Sequence, residues 1–354
     1  MSTRLKIQSV GMVSGLARSA EANSIAMHLR YDCFQRSYFH VPSQSHTYIN
    51  GASADPDNPL RGMSRLAYML TQAMEDAHAN CPIDSNTLGD IQLVICLPES
   101  AKPYVDPDIV NNFNSVFEII TDDYFYQEKI IYVELGEQGF AEVLSIAHTL
   151  LDAKEVSAVM IAGVDSLLTA SCISYYGGDS YGKNCRIITK DNADGFIPGE
   201  AAAAVLLTEA EKADTTGLFC TGIGFGLEPA PYGSGKVTRA EGMVNAINKA
   251  LGEAGYNMHA TDYRIANING ERYFFEEDAL ALQRTLRPPK QEHALWHPAD
   301  SIGNIGAAFG PVMTAHVFWA ARKSYAPGHR CLCMLSGDDE RRSAFLLEYQ
   351  PESK

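Results

Sequence analysis

The residues of this 354-residue chain that could carry out covalent or metal chemistry are first of all its cysteines. Their spacing is irregular, and they are Cys33, Cys81, Cys96, Cys172, Cys185, Cys220, Cys331 and Cys333. No CxxC pair occurs and no histidines follow at zinc-motif spacing, so the sequence predicts neither a metal site nor a disulfide framework. Several cysteines lie in strand-like runs such as residues 91–96, which favours reduced, buried thiols. We expect no bound metal and no cofactor.

Two glutamates and two glycine-rich turns are the next candidates for chemistry. Glu134 and Glu137 lie three residues apart beside a predicted turn. An acid–base pair is conceivable there, but side chains that face different ways or cap the following helix fit better. Residues 222–226 lack the GxGxxG spacing of a dinucleotide turn. Residues 233–236 lack the first glycine of a phosphate loop and the hydroxyl residue after its lysine, so neither turn is interpreted as a ligand site.

The elements that must position these residues alternate between strand-like and helix-like runs. In the first half, the predicted strands cover about residues 5–13, 91–97, 130–134, 157–163 and 201–207, and the helices 63–78 and 139–153. In the second half, the predicted strands cover about residues 218–225, 264–268, 294–296, 331–335 and 344–349, and the helices 240–254, 275–286 and 305–321. Such alternation predicts crossover connections and a largely parallel, buried sheet.

The repeated order of elements indicates a duplicated fold. We predict an α/β protein of two layered halves, αβαβα in all, with an N-terminal half at residues 1–212 and a C-terminal half at 213–354. The polar stretch at 212–217 marks the boundary. Residues 43–61 and 171–192 are predicted to be long loops, and loops of that length in a compact domain are usually functional or part of an interface.

Several segments, in matching order, resemble β-ketoacyl-acyl-carrier-protein synthases of the thiolase superfamily. The most specific match is at residues 194–207, where Asp-Gly-Phe-Ile-Pro-Gly-Glu stands for the family's Asp-Gly-Phe-x-x-Gly-Glu. Further matches are an opening strand, a first long helix, a strand end and a glycine-rich motif, at residues 10–16, 62–77, 162–165 and 301–310. Because these matches span nearly the whole chain, the resemblance implies a thiolase-like fold.

The resemblance also places the family's reaction centre on residues that cannot carry out its reaction. The family uses a cysteine at a helix start as acyl nucleophile, and two histidines that assist decarboxylation and stabilise an oxyanion. The nucleophile, the two histidines and a nearby lysine are replaced by Gln138, Asn269, Asn304 and Ala299, respectively. An amide forms no thioester and does not titrate near neutral pH, so we expect no catalytic residues and no condensation.

Other residues do not restore the missing groups. His148 and His316 lie inside predicted helices and are interpreted as packed or capping residues. His293 and His297 lie shortly before Ala299 and could partly replace the lysine, on proximity alone. The family's glycine-rich turn near the C-terminus becomes residues 337–342, which we interpret as a solvated turn or, alternatively, as a charged closure of the former acyl site.

Since the fold-building motifs are present and the catalytic set is not, the surface is predicted to carry the function. The chain resembles degenerate thiolase-like proteins encoded beside type VI secretion effectors. It is therefore interpreted as an inactive homologue that binds proteins, as an adaptor or chaperone for loading a secretion effector. The alternative is a chain-length-factor-like subunit that pairs with an active β-ketoacyl synthase in fatty-acid or polyketide synthesis. Family members dimerise through a sheet edge, which implies a homodimer or heterodimer through the strand at 130–134.

Bulk composition excludes other partners. The chain has 43 acidic and 28 basic residues and a formal charge of −15. This charge argues against nucleic acid, whose phosphates need a basic face. No apolar stretch approaches the roughly 18 residues of a membrane span. The first residues carry no signal-peptide pattern, so a cytoplasmic protein is expected.

Overall fold

The computed structural model describes residues 4–41, 44–83, 90–121, 130–178, 184–211 and 214–352. The elements of the first half are, in order, β1 (Leu5–Ser14), α1 (Ala20–His28), β2 (Gln35–Val41), β3 (Gln44–Gly51), α2 (Gly62–Ala79), β4 (Ile91–Cys96), α3 (Ile109–Thr121), β5 (Ile131–Val133), α4 (Gly139–Asp152), β6 (Ala158–Ser166), α5 (Ala170–Tyr176) and β7 (Glu200–Glu209). Those of the second half are β8 (Gly217–Leu227), α6 (Glu241–Glu253), β9 (Tyr263–Ala266), α7 (Arg272–Thr285), β10 (Leu295–Trp296), α8 (Ala299–Ile302), α9 (Phe309–Arg322), β11 (Arg330–Ser336) and β12 (Arg341–Gln350).

Ten strands form one mixed sheet in the order β10-β9-β11-β12-β8-β1-β7-β6-β4-β5. From the middle outward, each half has two antiparallel pairings followed by two parallel ones. The prediction of a largely parallel sheet is wrong, because five of the nine pairings are antiparallel. The physical reason is visible at β11 and β12, which are joined by a short turn with no crossover helix and must therefore run antiparallel.

Helices α4 and α9 form the central layer of the fold. Phe140 and Val312 of these helices pack in one buried cluster with side chains from both halves of the sheet, such as Ile161 and Phe345. The outer face of the first half is covered by α2 and α3, and that of the second half by α6 and α7. The result is the predicted five-layer α/β arrangement. Helix α9 is buried on every side, as expected for a helix that is apolar all round.

Several elements were not predicted. The region predicted as a loop at 43–61 contains most of β3, which pairs with β2, and the one at 171–192 contains most of α5. Thr169 caps α5 by accepting a hydrogen bond from the Cys172 N–H, a start signal that the sequence contained. The predicted boundary between residues 212 and 213 lies outside the described residues. No helix of the described part is long and apolar enough to cross a membrane.

Candidate functional site

Gln138 lies at the start of the central helix α4, directly after a short 3-10 turn at Gly136–Gln138. Gly136 makes this turn possible because its φ of +55° is in the left-handed region that side-chain-bearing residues avoid. Gln138 is only 4% exposed, and its Oε1 accepts a hydrogen bond of 2.9 Å from Ser343 Oγ on β12. Its Nε2 has no hydrogen-bond partner in the described structure. A buried donor left unsatisfied costs about 1–3 kcal/mol, so this amide is unusual.

The two asparagines that the resemblance places at the histidine positions bond to their own turns. Asn269 Oδ1 accepts the Glu271 N–H at 3.1 Å, and Asn269 Nδ2 donates to Glu271 Oε2 at 2.8 Å. Asn304 Oδ1 accepts the Gly306 N–H at 3.1 Å. Both side chains are buried. Their amides therefore shape the turns ahead of α7 and α9, which is a common role for asparagine.

The structure places the turn that contains Gln138 close to the segment that contains Asn304. The turn that contains Gln138 contacts the turn Gly306–Ala308, which directly follows Asn304. A Cβ built on Gly337 would lie 3.6 Å from Gln138 Cγ, so the turn between β11 and β12 also reaches this place. Ala299, in contrast, begins α8 within the apolar core.

A network of partly buried ion pairs lies near this place. Arg186 binds Glu271 through Nε (2.7 Å) and Nη2 (2.6 Å), and binds Asp338 through Nη1 (2.8 Å) and Nη2 (2.9 Å). Lys102 Nζ donates to Asp338 Oδ2 at 2.7 Å. The Arg186 guanidinium also stacks 4.1 Å from the centre of the Tyr232 ring. We call these residues, Lys102, Arg186, Glu271 and Asp338, the Arg186 network.

The Arg186 network decides between the two interpretations of residues 337–342. Burial opposes the charge of Asp338, but the hydrogen bond and charge of Arg186, together with Lys102, hold its pKa below the usual range. Arg342 is fully buried and pairs with Glu277 at 2.7 Å. The solvated-turn interpretation is therefore wrong. This turn is tied by charge to three other segments, around Lys102, Arg186 and Glu277.

Two carboxyl groups near Gln138 have no ion-pair partner in the described structure. Burial, together with the nearby charge of Asp338, raises the pKa of Glu137 to about 8, although Lys102 acts in the opposite direction. Burial raises the pKa of Asp165 to about 7, even though its oxygens accept the N–H groups of Ser166 and Ala307. The expected capping role of Glu137 is not seen, since no side-chain cap bond is present at the start of α4.

Glu200 belongs to the motif at residues 194–207 that best matches the family, and its contacts are structural. Glu200 accepts hydrogen bonds from Arg65 Nε (2.9 Å), Ser53 Oγ (2.9 Å), Ser166 Oγ (2.8 Å) and the Ala54 N–H (3.0 Å). Burial opposes its charge, yet the Arg65 bond lowers the pKa of Glu200. Gly199 is required just before it, because a Cβ there would lie 2.2 Å from the Ile302 carbonyl oxygen. We call Arg65, Glu200 and these donors the Glu200 cluster.

The histidines are engaged away from Gln138. His316 is packed, as predicted: its Nδ1 lies 2.8 Å from Ser24 Oγ, and burial lowers its pKa to about 3. His293 bonds to Thr261 at 2.9 Å, and burial lowers its pKa to about 4. His297 contacts the Phe275 ring. In the described structure, none of these three is hydrogen-bonded to an amide at the replaced positions.

Burial makes the thiols of two strand cysteines poor nucleophiles. Cys96 and Cys220 are buried, and burial raises the pKa of each thiol to about 12, far from the thiolate form. The described residues also contain no group of three or more His, Cys, Asp or Glu side chains that could hold a metal ion.

An open cleft of about 390 Å³ adjoins Gln138. It is formed by the start of α4, the end of β8, one face of α6 and the start of β12. The lining residues are Leu135, Gln138, Glu142, Phe225, Gly226, Leu227, Asn245, Lys249, Arg341 and Arg342. No local pattern in the sequence predicts this cleft or the Arg186 network, because their members come from separate elements.

Comparison with known proteins identifies the fold. No protein-family model matches the sequence, and no curated protein matches it. The structure is similar to that of a type II polyketide synthase acyl-carrier protein in complex with its ketosynthase, with a TM-score of 0.78, 12% identity, and coverage of 99% of this chain and 100% of that one. It is also similar to a ketosynthase in complex with its chain length factor from Xenorhabdus doucetiae (TM-score 0.67, 12% identity, 98% of each chain).

A third similar structure is the ishigamide ketosynthase/chain length factor, with a TM-score of 0.69, 14% identity, and coverage of 98% of this chain and 99% of that one. Identities this low show the fold alone. The chain therefore has the thiolase-like α/β fold of ketosynthases over nearly its whole length, as the sequence predicted.

Proposed function

We propose that this chain is a catalytically inactive ketoacyl-synthase homologue that acts by binding another protein. The observation that carries the proposal is the buried Gln138 side chain at the start of α4, the position that the resemblance assigns to the nucleophile. Its oxygen is bonded to Ser343, and an amide cannot form and release an acyl thioester. The Asn269 and Asn304 amides are occupied in their own turns and offer no titrating proton.

Protein binding is supported by the edge of the sheet. Strand β5 is the outermost strand of its half and, in the described structure, pairs on one side only, with β4. An edge strand with free N–H and C=O groups can pair with a strand of another chain. We infer a homodimer or a heterodimer with a related thiolase-fold subunit through β5. In the adaptor form of this proposal, such an assembly loads a type VI secretion effector.

A second candidate function is favoured by the structural comparisons. Two of the similar structures contain a chain length factor with a ketosynthase, so this chain could be the non-catalytic partner of an active β-ketoacyl synthase in fatty-acid or polyketide synthesis. The cleft beside Gln138 would then be the first place to look for contact with an acyl chain.

The absence of condensation can be measured directly. The purified chain is incubated with an acyl-carrier thioester and a malonyl thioester, and an intact ketosynthase serves as positive control. We expect no product above the uncatalysed background from the natural chain, nor from Gln138→Cys, because a restored thiol still lacks both imidazoles. Condensation by the natural chain would refute the proposal.

The partner can be identified by recovering the tagged chain from its native host. A secretion effector among the bound proteins would support the adaptor form, and an intact ketosynthase would support the second candidate. Recovery of an acyl-carrier protein alone, together with condensing activity, would contradict both.

A further inference from the structure

The two halves of the fold repeat one another element by element. From the middle of the sheet outward, the order β8-β12-β11-β9-β10 in the second half repeats the order β1-β7-β6-β4-β5 in the first. The helices correspond as well, α6 to α2, α7 to α3 and α9 to α4. Helix α1 has no counterpart, because the loop at 228–240, which the structure describes in full, contains no helix.

In the first half, α1 covers one edge of β1. Beyond its first three residues, β1 separates from β8 and leaves this edge without a neighbouring strand. The Ser24 hydroxyl of α1 lies 2.8 Å from His316 Nδ1 of α9. Asn23 Nδ2 of α1 donates to the Met12 carbonyl oxygen of β1 at 3.3 Å. Asp76 of α2 accepts the N–H of the first residue of α1 at 2.7 Å. Helix α1 therefore lies against α9, β1 and α2 together.

In the second half, the cleft beside Gln138 is the equivalent place. Its lining comes from the start of α4, the end of β8 and one face of α6, which are the counterparts of α9, β1 and α2. The remaining lining residues begin β12, the counterpart of β7. Leu227, at the end of β8, is 67% exposed here. A helix covers this place in the first half, and the second half supplies none.

Two glycines align the halves residue by residue. A Cβ on Gly11 of β1 would clash with the Ala73 carbonyl oxygen of α2. A Cβ on Gly224 of β8 would clash with the Ala246 carbonyl oxygen of α6. Each glycine is needed because its strand lies directly against its helix. Gly11 therefore corresponds to Gly224, and Ala73 to Ala246.

This alignment shows a reversal of charge. One residue beyond the glycines, Met12 of β1 corresponds to Phe225 of β8. Three residues beyond the alanines, Asp76 of α2 corresponds to Lys249 of α6. Asp76 accepts the Met12 N–H at 3.1 Å, whereas Lys249 Nζ donates to the Phe225 carbonyl oxygen at 2.8 Å. The cleft therefore presents an ammonium group where the first half has a carboxylate that binds the start of α1.

These differences define what the cleft can bind. Asp76 suits the start of α1, because the first N–H groups of a helix carry partial positive charge. Lys249 suits a carboxylate, and it has donors to spare because an ammonium group has three. The buried residues of α1 are 20, 23, 24 and 27, the stripe of a helix that lies in a groove. The exposed Leu227 and the neighbouring Phe225 favour apolar side chains on such a stripe.

We propose that the cleft binds an amphipathic helix of a partner protein, with the apolar stripe of that helix on Leu227 and Phe225 and one of its carboxylates on Lys249. The proposal rests on the protein-binding function proposed above, and it names the surface and the class of segment that would carry that function. Arg341 and Arg342 also line the cleft but are ion-paired within the chain. Lys249 is the lining cation without an ion pair in the described structure.

Site-specific photocrosslinking in the native host tests the proposal. The photoreactive residue p-benzoylphenylalanine replaces Leu227 or, as a control, Val237, which is 89% exposed in the loop between β8 and α6 and does not line the cleft. Adducts are purified under denaturing conditions, and the crosslinked peptide is identified by mass spectrometry. We expect an adduct from position 227 and not from position 237. The attached segment should have apolar residues at helical spacing and at least one acidic residue.

A charge swap then tests the contact with Lys249. A synthetic peptide of the crosslinked segment is titrated into the natural chain, Lys249→Glu and Lys236→Glu, and binding is followed by fluorescence anisotropy. Lys236 is an exposed lysine outside the cleft lining and is the matched control. We expect Lys249→Glu to raise the dissociation constant about tenfold or more, and Lys236→Glu to leave it within about twofold. A peptide with its acidic residue changed to lysine should bind Lys249→Glu within about threefold of the natural pair, which a folding defect cannot produce.

Several results would overturn the proposal. They are no adduct at position 227 beyond that at 237, an adduct with a second copy of this chain or with a segment that lacks the helical stripe, or an unchanged dissociation constant for Lys249→Glu. If the tagged chain still recovered a specific protein from the host, the proposed function would stand and the binding surface would lie elsewhere. Condensing activity, in contrast, would refute the proposed function whatever the crosslinking shows.

Discussion

Two groups of charged side chains in this protein, the Glu200 cluster and the Arg186 network, differ in how completely the carboxyl groups around them are paired. In the Glu200 cluster, one carboxylate receives hydrogen bonds from Arg65, Ser53, Ser166 and a backbone N–H, and its pKa is lowered. In the Arg186 network, the Arg186 guanidinium forms ion pairs with two carboxylates. The neighbouring Glu137 has no ion-pair partner in the described structure, and its pKa is raised. Both groups are paired internally, but the Arg186 network lies beside a carboxyl group that has no ion-pair partner in the described structure.

The difference indicates which charged groups stabilise the fold and which carboxyl groups remain without an ion-pair partner in the described structure. The Glu200 cluster ties β7 to α2 and to the segment after β3, and its residues belong to the motifs that resemble ketosynthases. The Arg186 network lies near Gln138, where the carboxyl groups of Glu137 and Asp165 have no ion-pair partner in the described structure and have raised pKa values. Unsatisfied polar groups of this kind are where pH or a binding partner acts most strongly.

The largest expected effect is on the Glu200 cluster. Glu200→Gln leaves the buried Arg65 without its charge partner and turns an amide nitrogen toward its donors, which should lower the free energy of unfolding by about 3–5 kcal/mol. Urea unfolding followed by circular dichroism measures this loss. The control is Glu209→Gln, whose partner Lys154 is exposed, with an expected loss below about 1 kcal/mol. Equal losses would show that the Glu200 cluster is not a stabilising centre.

An intermediate effect is expected in the Arg186 network. Arg186→Met deprives Glu271, whose side chain is 2% exposed, of its cation, whereas Asp338 keeps Lys102. The expected loss in unfolding free energy is about 2–3 kcal/mol, smaller than for Glu200→Gln because part of the network survives. Arg18→Met is the control, since the Arg18–Asp55 pair is exposed. If Arg186→Met cost more than Glu200→Gln, the contrast between the two groups would be reversed.

The smallest effect, at most about 1.4 kcal/mol for each pH unit, is a dependence on pH that distinguishes the two groups by sign. The pKa of Glu137 is raised from 4.5 to about 8, so between these values the folded protein holds a proton that the unfolded chain has lost. Stability conferred by this group therefore falls as pH rises through that window. The lowered pKa of Glu200 acts oppositely: its contribution is present above its unfolded pKa and is lost as pH falls.

Glu137→Gln removes the Glu137 contribution. Between pH 6 and pH 8, we expect the unfolding free energy of Glu137→Gln, relative to that of the natural chain, to increase by up to about 1.4 kcal/mol for each pH unit. Urea unfolding at pH 6, 7 and 8 measures the change, with the exposed Glu142→Gln as control. A difference that does not change with pH would mean that Glu137 is ionised throughout this range.

Local features were predictable because local interactions determine them. The apolar run of α9 predicts a buried helix, and the predicted range of 305–321 covers most of the observed one. The place of Gln138, between a strand and the start of a helix, was also predicted without coordinates. Short elements such as α5 and the β2–β3 pair were missed, since a few polar residues give too weak a periodic pattern.

The sequence by itself determined the five-layer α/β fold, because the order of strands and helices depends on residue types in short, ordered motifs. The absence of a thiol and two imidazoles from the reaction centre stays a prediction that rests on the resemblance. Only the tertiary structure decided the strand directions, the cleft and the Arg186 network. Lys102 and Asp338 are 236 positions apart along the chain, and no local pattern encodes an ion pair of that kind. The strength of such an ion pair depends on burial by four separate segments of the chain. That burial exists only once the sheet has formed.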